Sequence, residues 1–290
     1  MDEPAELMSH TPHSLNYEVL ESEEAVGRTM LSEIEAAAQN RSGDLTIVIL
    51  GGRGAQAVHR LIGEKAKTNE LDELLARLNV FTQDALAPMR MNNAFSFVRD
   101  FERLLGDAFF EKVKSFNSMR TQAADLEAEM IRYVDALEST GGIDIFFLGL
   151  GPEANAASHI CYIKPGSGAG ASDVAGVIPI SQSIVEHHIN KFKAGGAPAN
   201  QADEIECRNA THILTLGPAA VLGAKRIVQS IVDADSAPAK VESFDRFIKT
   251  EIADDAETRS RQLDENPGLW IRLNPSVRSL ILPNVLHRSN

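Results

Sequence analysis

The segment Asp44-Leu-Thr-Ile-Val-Ile-Leu50 constrains the fold more than any other part of the chain. It has the length of a strand, is rich in β-branched residues, and is apolar at consecutive rather than alternate positions. A strand apolar on both faces must be covered on both faces, which is the condition of a parallel sheet between helices. The run stops at Gly51-Gly52-Arg53-Gly54, after which Ala55, Val58, Leu61 and Ile62 recur at helical spacing. Strand, glycine turn and helix are therefore expected in that order.

The same alternation runs along the chain. A short strand is expected at Asn79–Thr82, then a proline-containing loop from Asp84 to Asn92. Phe97, Phe101, Leu104, Leu105 and Ala108 mark a long helix, and another is expected over 122–138. Ile143–Leu148 is a second buried strand, and it too ends in glycine, at Gly149-Leu150-Gly151. Val174–Ile180 reads as a strand whose Pro179 puts it at an edge or at its own end. His212–Leu216 is a further strand ending at Gly217, and Pro218 suits the first turn of a helix. That helix is expected to continue through Ala220, Ala224, Ile227, Val228 and Ile231, with a last strand at Ser279–Leu282.

Strands alternating with crossover helices predict an α/β fold, a three-layer α/β/α arrangement around a mostly parallel sheet. Residues 1–16 read as an N-terminal arm and 17–290 as one domain. Three strand ends carry glycine, after positions 50, 148 and 216. Ligands bind at the carboxyl ends of such strands, so a site is expected there.

A net charge of −13 counts against nucleic acid as a partner, since a phosphate backbone needs a cationic footprint. No run approaches the ~20 apolar residues of a membrane span, and the polar start, Met1 to Ser14, is not a secretory signal. Cys161 and Cys207 make no disulfide framework, so a reduced, cytoplasmic setting is expected. No His, Asp or Glu cluster has metal-ligand spacing, and neither metal nor cofactor is expected. His59 is expected on an exposed helix face, and His187 and His188 on a solvated one, with Trp270 in the core.

Glycines at 51, 52 and 54 let backbone N–H groups approach an anion, and a helix N-terminus adds partial positive charge. Arg53 could add a charge-assisted contact to phosphate. The turn matches neither the dinucleotide fingerprint nor the P-loop, and a tight structural turn and a phosphate cradle both fit it.

The second glycine end, Gly149-Leu-Gly-Pro-Glu-Ala-Asn-Ala-Ala-Ser158, resembles the glucosamine-6-phosphate deaminase/isomerase and 6-phosphogluconolactonase superfamily. Members carry Gly-x-Gly-x-Asp-Gly-His there, and the lactonase branch reads Gly-Pro-Asp-Gly-His-x-Ala-Ser. This chain keeps Gly149, Gly151, Pro152, Ala157 and Ser158, with Glu153, Ala154 and Asn155 in place of Asp, Gly and His. Gly51-Gly52-Arg53-Gly54 is similar to the family's phosphate loop, and Gln83-Asp84 to its Asp-Glu pair. Leu214-Thr-Leu-Gly217 and Pro267–Pro275 follow the family order, and Lys240 best matches a lysine that helps hold the sugar phosphate.

The resemblance implies the family's three-layer fold and a phosphorylated sugar as partner, compatible with a homo-oligomer. Gly51, Gly52, Arg53, Gly54, Gln83, Gly151, Asn155 and Lys240 are the implied substrate-binding positions. The departures bear on chemistry. Gln83 cannot act as a base, Asn155 cannot shuttle a proton, and the family's C-terminal His is replaced by Asn274. Asp84 and Glu153 are left as acid/base candidates, with His159, four residues beyond Asn155, as a relocated histidine. Three functions follow as expectations: a deaminase/isomerase-like protein of carbohydrate metabolism, a lactonase-like hydrolase, or a non-catalytic sugar-phosphate sensor.

Overall fold

The computed structural model describes residues 3–151, 163 and 166–286. Its strands are β1 (Tyr17–Val19), β2 (Leu45–Ile49), β3 (Leu78–Thr82), β4 (Asp84–Ala87) and β5 (Ser115–Asn117), followed by β6 (Ile145–Leu148), β7 (Ala175–Pro179), β8 (His212–Leu216), β9 (Ile227–Ile231) and β10 (Val277–Ile281). Seven of them form one sheet in the order β1-β10-β9-β6-β2-β3-β5, and every pairing in it is parallel. As its uninterrupted apolar run requires, β2 lies in the interior of the sheet and is buried at every position.

Two apolar cores cover the two faces, as the period-two alternation of a strand dictates. Ile47 and Ile49 point into a core shared with Met30 and Ile34 of the helix Glu23–Gln39 and Val58 and Ile62 of the helix Arg53–Lys67. Val48, between them, points into the other core, with Met130 and Tyr133 of the helix Leu126–Glu138 and Phe244 and Phe247 of the helix Ala239–Lys249. This is the expected three-layer arrangement. Trp270 packs in the second core, as its apolar neighbours suggested.

Four expectations give way. Ile227–Ile231 is not the end of a helix but strand β9, between β10 and β6. The helix begun by Pro218 stops at Gly223, and the β-branched residues beyond it take the extended form. Asp84–Ala87 is not loop but β4, which joins β8 and β7 in a separate antiparallel sheet of order β4-β8-β7. The helix expected from Phe97 through Ala108 breaks at Gly106, whose φ is +73°, and restarts at Asp107. His59 and His188 are buried rather than exposed. Pro179, by contrast, closes an edge strand as expected.

A single residue, Gln83, carries the chain from one sheet into the other. Its N–H donates to the Ile49 carbonyl at 2.9 Å, extending β2, and its carbonyl accepts the Leu216 N–H of β8 at 3.1 Å. At the N-terminal end, Leu7 of the helix Glu3–Ser9 is buried, and the Arg259 guanidinium donates to the Leu7 and His10 carbonyls.

Candidate functional site

The strand order reverses between β2 and β6. From β2 the chain adds β3 and β5 on one side, then returns to β6 and continues outward through β9 and β10. Such a reversal splays the connections leaving the strands and opens a crevice at their carboxyl ends. A pocket lies there, lined by the residues that follow β2 (Leu50 to Gly54), β3 (Gln83, Asp84), β6 (Gly149 to Gly151) and β9 (Asp233).

The floor beneath β2 is built around missing side chains. A Cβ on Gly51 would sit 1.9 Å from Phe97 Cδ1, so the aromatic ring packs directly on bare backbone. Gly52 has φ +77°, the left-handed region glycine tolerates, and is the N-cap of the helix Arg53–Lys67. It offers no side chain to the first-turn N–H groups, which leaves the positive end of the helix without a side-chain cap.

Cations gather beside this turn, each already held by a carboxylate. Arg53 donates to Glu23 Oε1 at 2.6 and 3.0 Å and to Asp235 at 3.3 Å. The Glu23 hydrogen bonds raise the basicity of its guanidinium further. Lys240 Nζ donates to Asp233 Oδ1 at 2.6 Å, and Lys191 Nζ to Asp233 Oδ2 at 3.1 Å. Burial lowers the Lys240 ammonium below its usual range, against the pull of Asp233. Burial would raise Asp233, but the two ammonium groups outweigh it and hold the carboxyl far below the carboxylate range.

Gln83 and Asp84 also line the pocket. Asp84 is buried, and burial pushes its carboxyl up to about 8, against a hydrogen bond from Gln83 Nε2 to its Oδ2 at 3.1 Å. It is therefore mainly a carboxylic acid at neutral pH, with a hydrogen to donate. Gln83 Oε1 is buried with no hydrogen-bond partner. Beneath them the Tyr133 hydroxyl donates to the Thr82 carbonyl.

Aromatic rings line the pocket as well. His188, on the helix Gln182–Ala194, stacks on Phe192 with centroids 4.2 Å apart and meets Phe97 edge-on at 5.0 Å. Its Nε2 lies 2.7 Å from the Phe95 carbonyl, so that nitrogen carries the hydrogen and the ring is the neutral Nε2 tautomer. Burial lowers its pKa to about 4.

Of the positions singled out in the sequence, Gly51, Gly52, Arg53, Gly54, Gln83, Asp84, Gly151 and Lys240 all line this pocket. Glu153, Asn155 and His159 lie outside the described residues. The third glycine-ended strand does not converge here. Gly217 follows β8 of the antiparallel sheet and is absent from the described pocket lining. Asn274 is also elsewhere, its amide nitrogen donating to the Val221 and Ala224 carbonyls at 3.0 and 2.8 Å. It ties backbone together where the family's histidine was expected to act.

Lys191, Asp233, His188 and Phe192 line the pocket without having been singled out for it. A signal for three of them was present. His187, His188, Lys191 and Phe192 recur at i, i+1, i+4 and i+5, which is one face of a helix. Among the described residues no group of three metal-ligating side chains comes together, and no helix is long and apolar enough to cross a membrane.

Known proteins share this framework. The fold superposes on a monomeric glucosamine-6-phosphate deaminase with a TM-score of 0.70, covering 93% of this chain and 98% of that one at 18% identity. A 6-phosphogluconolactonase from Trypanosoma cruzi superposes with a TM-score of 0.66 over 95% and 97% of the two chains at 14% identity. In sequence, 149 residues are 28% identical to the glucosamine-6-phosphate deaminase of Bacillus pumilus, covering 51% of this chain and 52% of the relative. A shorter stretch of 56 residues is 43% identical to the deaminase of Bacteroides fragilis, 19% of each chain. The matches thus span from a fifth to about half the length of these relatives. No protein-family model matches the chain. The chain has the fold shared by glucosamine-6-phosphate deaminases and 6-phosphogluconolactonases, and in sequence it resembles the deaminases.

Proposed function

We propose that the protein binds a hexose 6-phosphate in the pocket between β2 and β6, with its phosphate at the Gly51–Gly54 turn and its sugar toward Gln83 and Asp84. The observation that carries this reading is the clustering of Arg53, Lys191 and Lys240 beside an uncapped helix N-terminus. Each of those cations contacts a carboxylate, and a phosphate dianion would share or replace these contacts. Likeness in sequence to glucosamine-6-phosphate deaminases, and in fold to deaminases and 6-phosphogluconolactonases, supports the same ligand class.

Turnover of the deaminase/isomerase kind needs a base that moves a proton between neighbouring carbons of the sugar. Gln83 supplies no base, Asp84 is mainly protonated at neutral pH, and the candidates Glu153 and His159 lie outside the described residues. Among the described residues the pocket therefore offers more for holding a sugar phosphate than for isomerising it, which supports a sensor-like or slow enzyme. A lactonase-like hydrolase is the second reading, favoured by Gly151-Pro152 and Ala157-Ser158 in the sequence.

Titration calorimetry with glucosamine 6-phosphate, fructose 6-phosphate and 6-phosphogluconate tests the binding, beside assays for ammonia release and lactone hydrolysis. Saturable binding is expected, with deaminase turnover lower by roughly 10²–10⁴ for each missing proton-transfer group. Absence of binding by every phosphorylated sugar would refute the proposal. Lactone hydrolysis at ordinary enzymatic rates would select the second reading.

A further inference from the structure

Gln83 presents an unmet acceptor in a pocket where its neighbour carries a proton. The residue is 5% exposed and lines the pocket, its Nε2 is committed to Asp84, and its Oε1 has no partner. A buried acceptor without a donor is costly, and the cost is recovered when a ligand brings one. Asp84, 4% exposed, accepts through Oδ2 and keeps its acid hydrogen. Side by side the two residues offer one acceptor and one donor, which is the complement of a hydroxyl group.

We infer that Gln83 is a specificity residue, accepting a hydrogen bond from a sugar hydroxyl so that the pocket selects neutral hexose phosphates over sugar-acid phosphates. The inference rests on the reading of the pocket as a sugar-phosphate site. A ligand carboxylate at this end would turn an acceptor toward Gln83 Oε1 and bring charge into the wall where Asp84 is kept neutral by burial. A ligand hydroxyl satisfies both partners. Sites that hydrogen-bond a substrate hydroxyl discriminate strongly because the analogue without it leaves their buried polar groups unpaired.

Affinities of glucose 6-phosphate, 6-phosphogluconate and inorganic phosphate, measured for wild type, Gln83→Met and Gln83→Leu, test this. Wild type is expected to bind glucose 6-phosphate about tenfold more tightly than 6-phosphogluconate, the loss typical of one unpaired buried polar group. Both variants should erase most of that margin while their affinity for inorganic phosphate stays within about twofold, since the anion end is untouched. Equal wild-type affinity for the two sugar ligands overturns the inference, and so does a margin that survives in a folded variant. If neither variant folds, the wild-type ratio decides. Binding of inorganic phosphate without discrimination sinks the role of Gln83 alone, whereas no binding of any of the three sinks the sugar-phosphate reading with it.

Discussion

The Lys240 ammonium donates to Asp233 Oδ1 at 2.6 Å inside the candidate pocket, with both side chains nearly shut off from solvent. The carboxylate thus occupies a place beside two cations, Lys240 and Lys191, where an external anion would be attracted. Breaking such a buried pair on one side leaves a charge without compensation, at a cost of about 3–5 kcal/mol. Asp233→Asn is expected to lower the melting temperature while tightening inorganic phosphate binding, because the two lysines then lack their internal counter-charge. Thermal melts with and without phosphate check this. A destabilised variant that gains nothing from phosphate would show that these lysines serve the fold alone.

The pocket was partly legible in the sequence, and the legible part has a common cause. β2 and β6 are continuous apolar runs closed by glycine, a pattern set by local chemistry, so Gly51–Gly54 and Gly151 could be placed from it. Gln83 and Asp84 were placed only through their likeness to a family motif. β9 was hidden because Ala220, Ala224, Ile227, Val228 and Ile231 happen to fall at helical intervals. The cue that outweighs that spacing is the β-branched run Ile227-Val228 to Ile231-Val232, which ends in an aspartate, as a strand leading into a polar site does. The second sheet was hidden for a different reason. β4 follows β3 with one residue between them, and no turn signal marks the change of sheet. Asp233 and Lys191 meet across 42 positions of chain, a relationship that only the tertiary fold creates.

Asp84 gives the protein a pH dependence of definite sign. Its carboxyl titrates near 3.8 when unfolded and is pushed up to about 8 by burial in the fold. Between those values the folded state holds a proton that the unfolded state has lost, so stability falls as pH rises, by up to ~1.4 kcal/mol per pH unit from this group. The contribution is fully present below the unfolded value and gone above the folded one. Asp84→Asn removes the slope. Denaturant melts of both proteins from pH 5 to pH 9 should diverge in favour of the variant by a few kcal/mol as pH rises to about 8. Parallel curves would mean that Asp84 is ionised in the folded protein.

His59 acts on the acid side. It is 2% exposed, both ring nitrogens are without hydrogen-bond partners, and its ring meets Phe101 edge-on at 5.2 Å. Burial depresses its pKa from 6.5 to about 3, aided by the charge of Arg60. The unfolded chain therefore binds a proton below pH 6.5 that the folded chain refuses, and stability is lost as pH falls through that range. His59→Leu keeps an apolar side chain of similar reach and removes two unmet polar atoms. It is expected to stabilise by about 1–2 kcal/mol at pH 7.5 and by more at pH 5. A variant less stable than wild type at both pH values would show that the imidazole is required by its surroundings.

The two glycines that open the pocket should fail in different ways when replaced by alanine. At Gly51 the added Cβ would lie 1.9 and 2.3 Å from two ring carbons of Phe97, closer than atoms can approach. Phe97 is itself buried against Phe192 and His188, so the ring cannot retreat without unpacking that wall. Gly51→Ala is expected to cost ~3 kcal/mol or more, at or above the upper end of steric overpacking in a core, and to abolish sugar-phosphate binding. At Gly52 nothing lies within 4 Å of the added Cβ, and only the left-handed backbone resists it. Gly52→Ala should therefore cost about 1–2 kcal/mol and leave the protein folded, with phosphate affinity reduced only as far as the turn relaxes. Melting curves and phosphate titrations of the two variants separate the effects. Equal losses in both would place the constraint in the conformation of the turn rather than in the contact between Gly51 and Phe97.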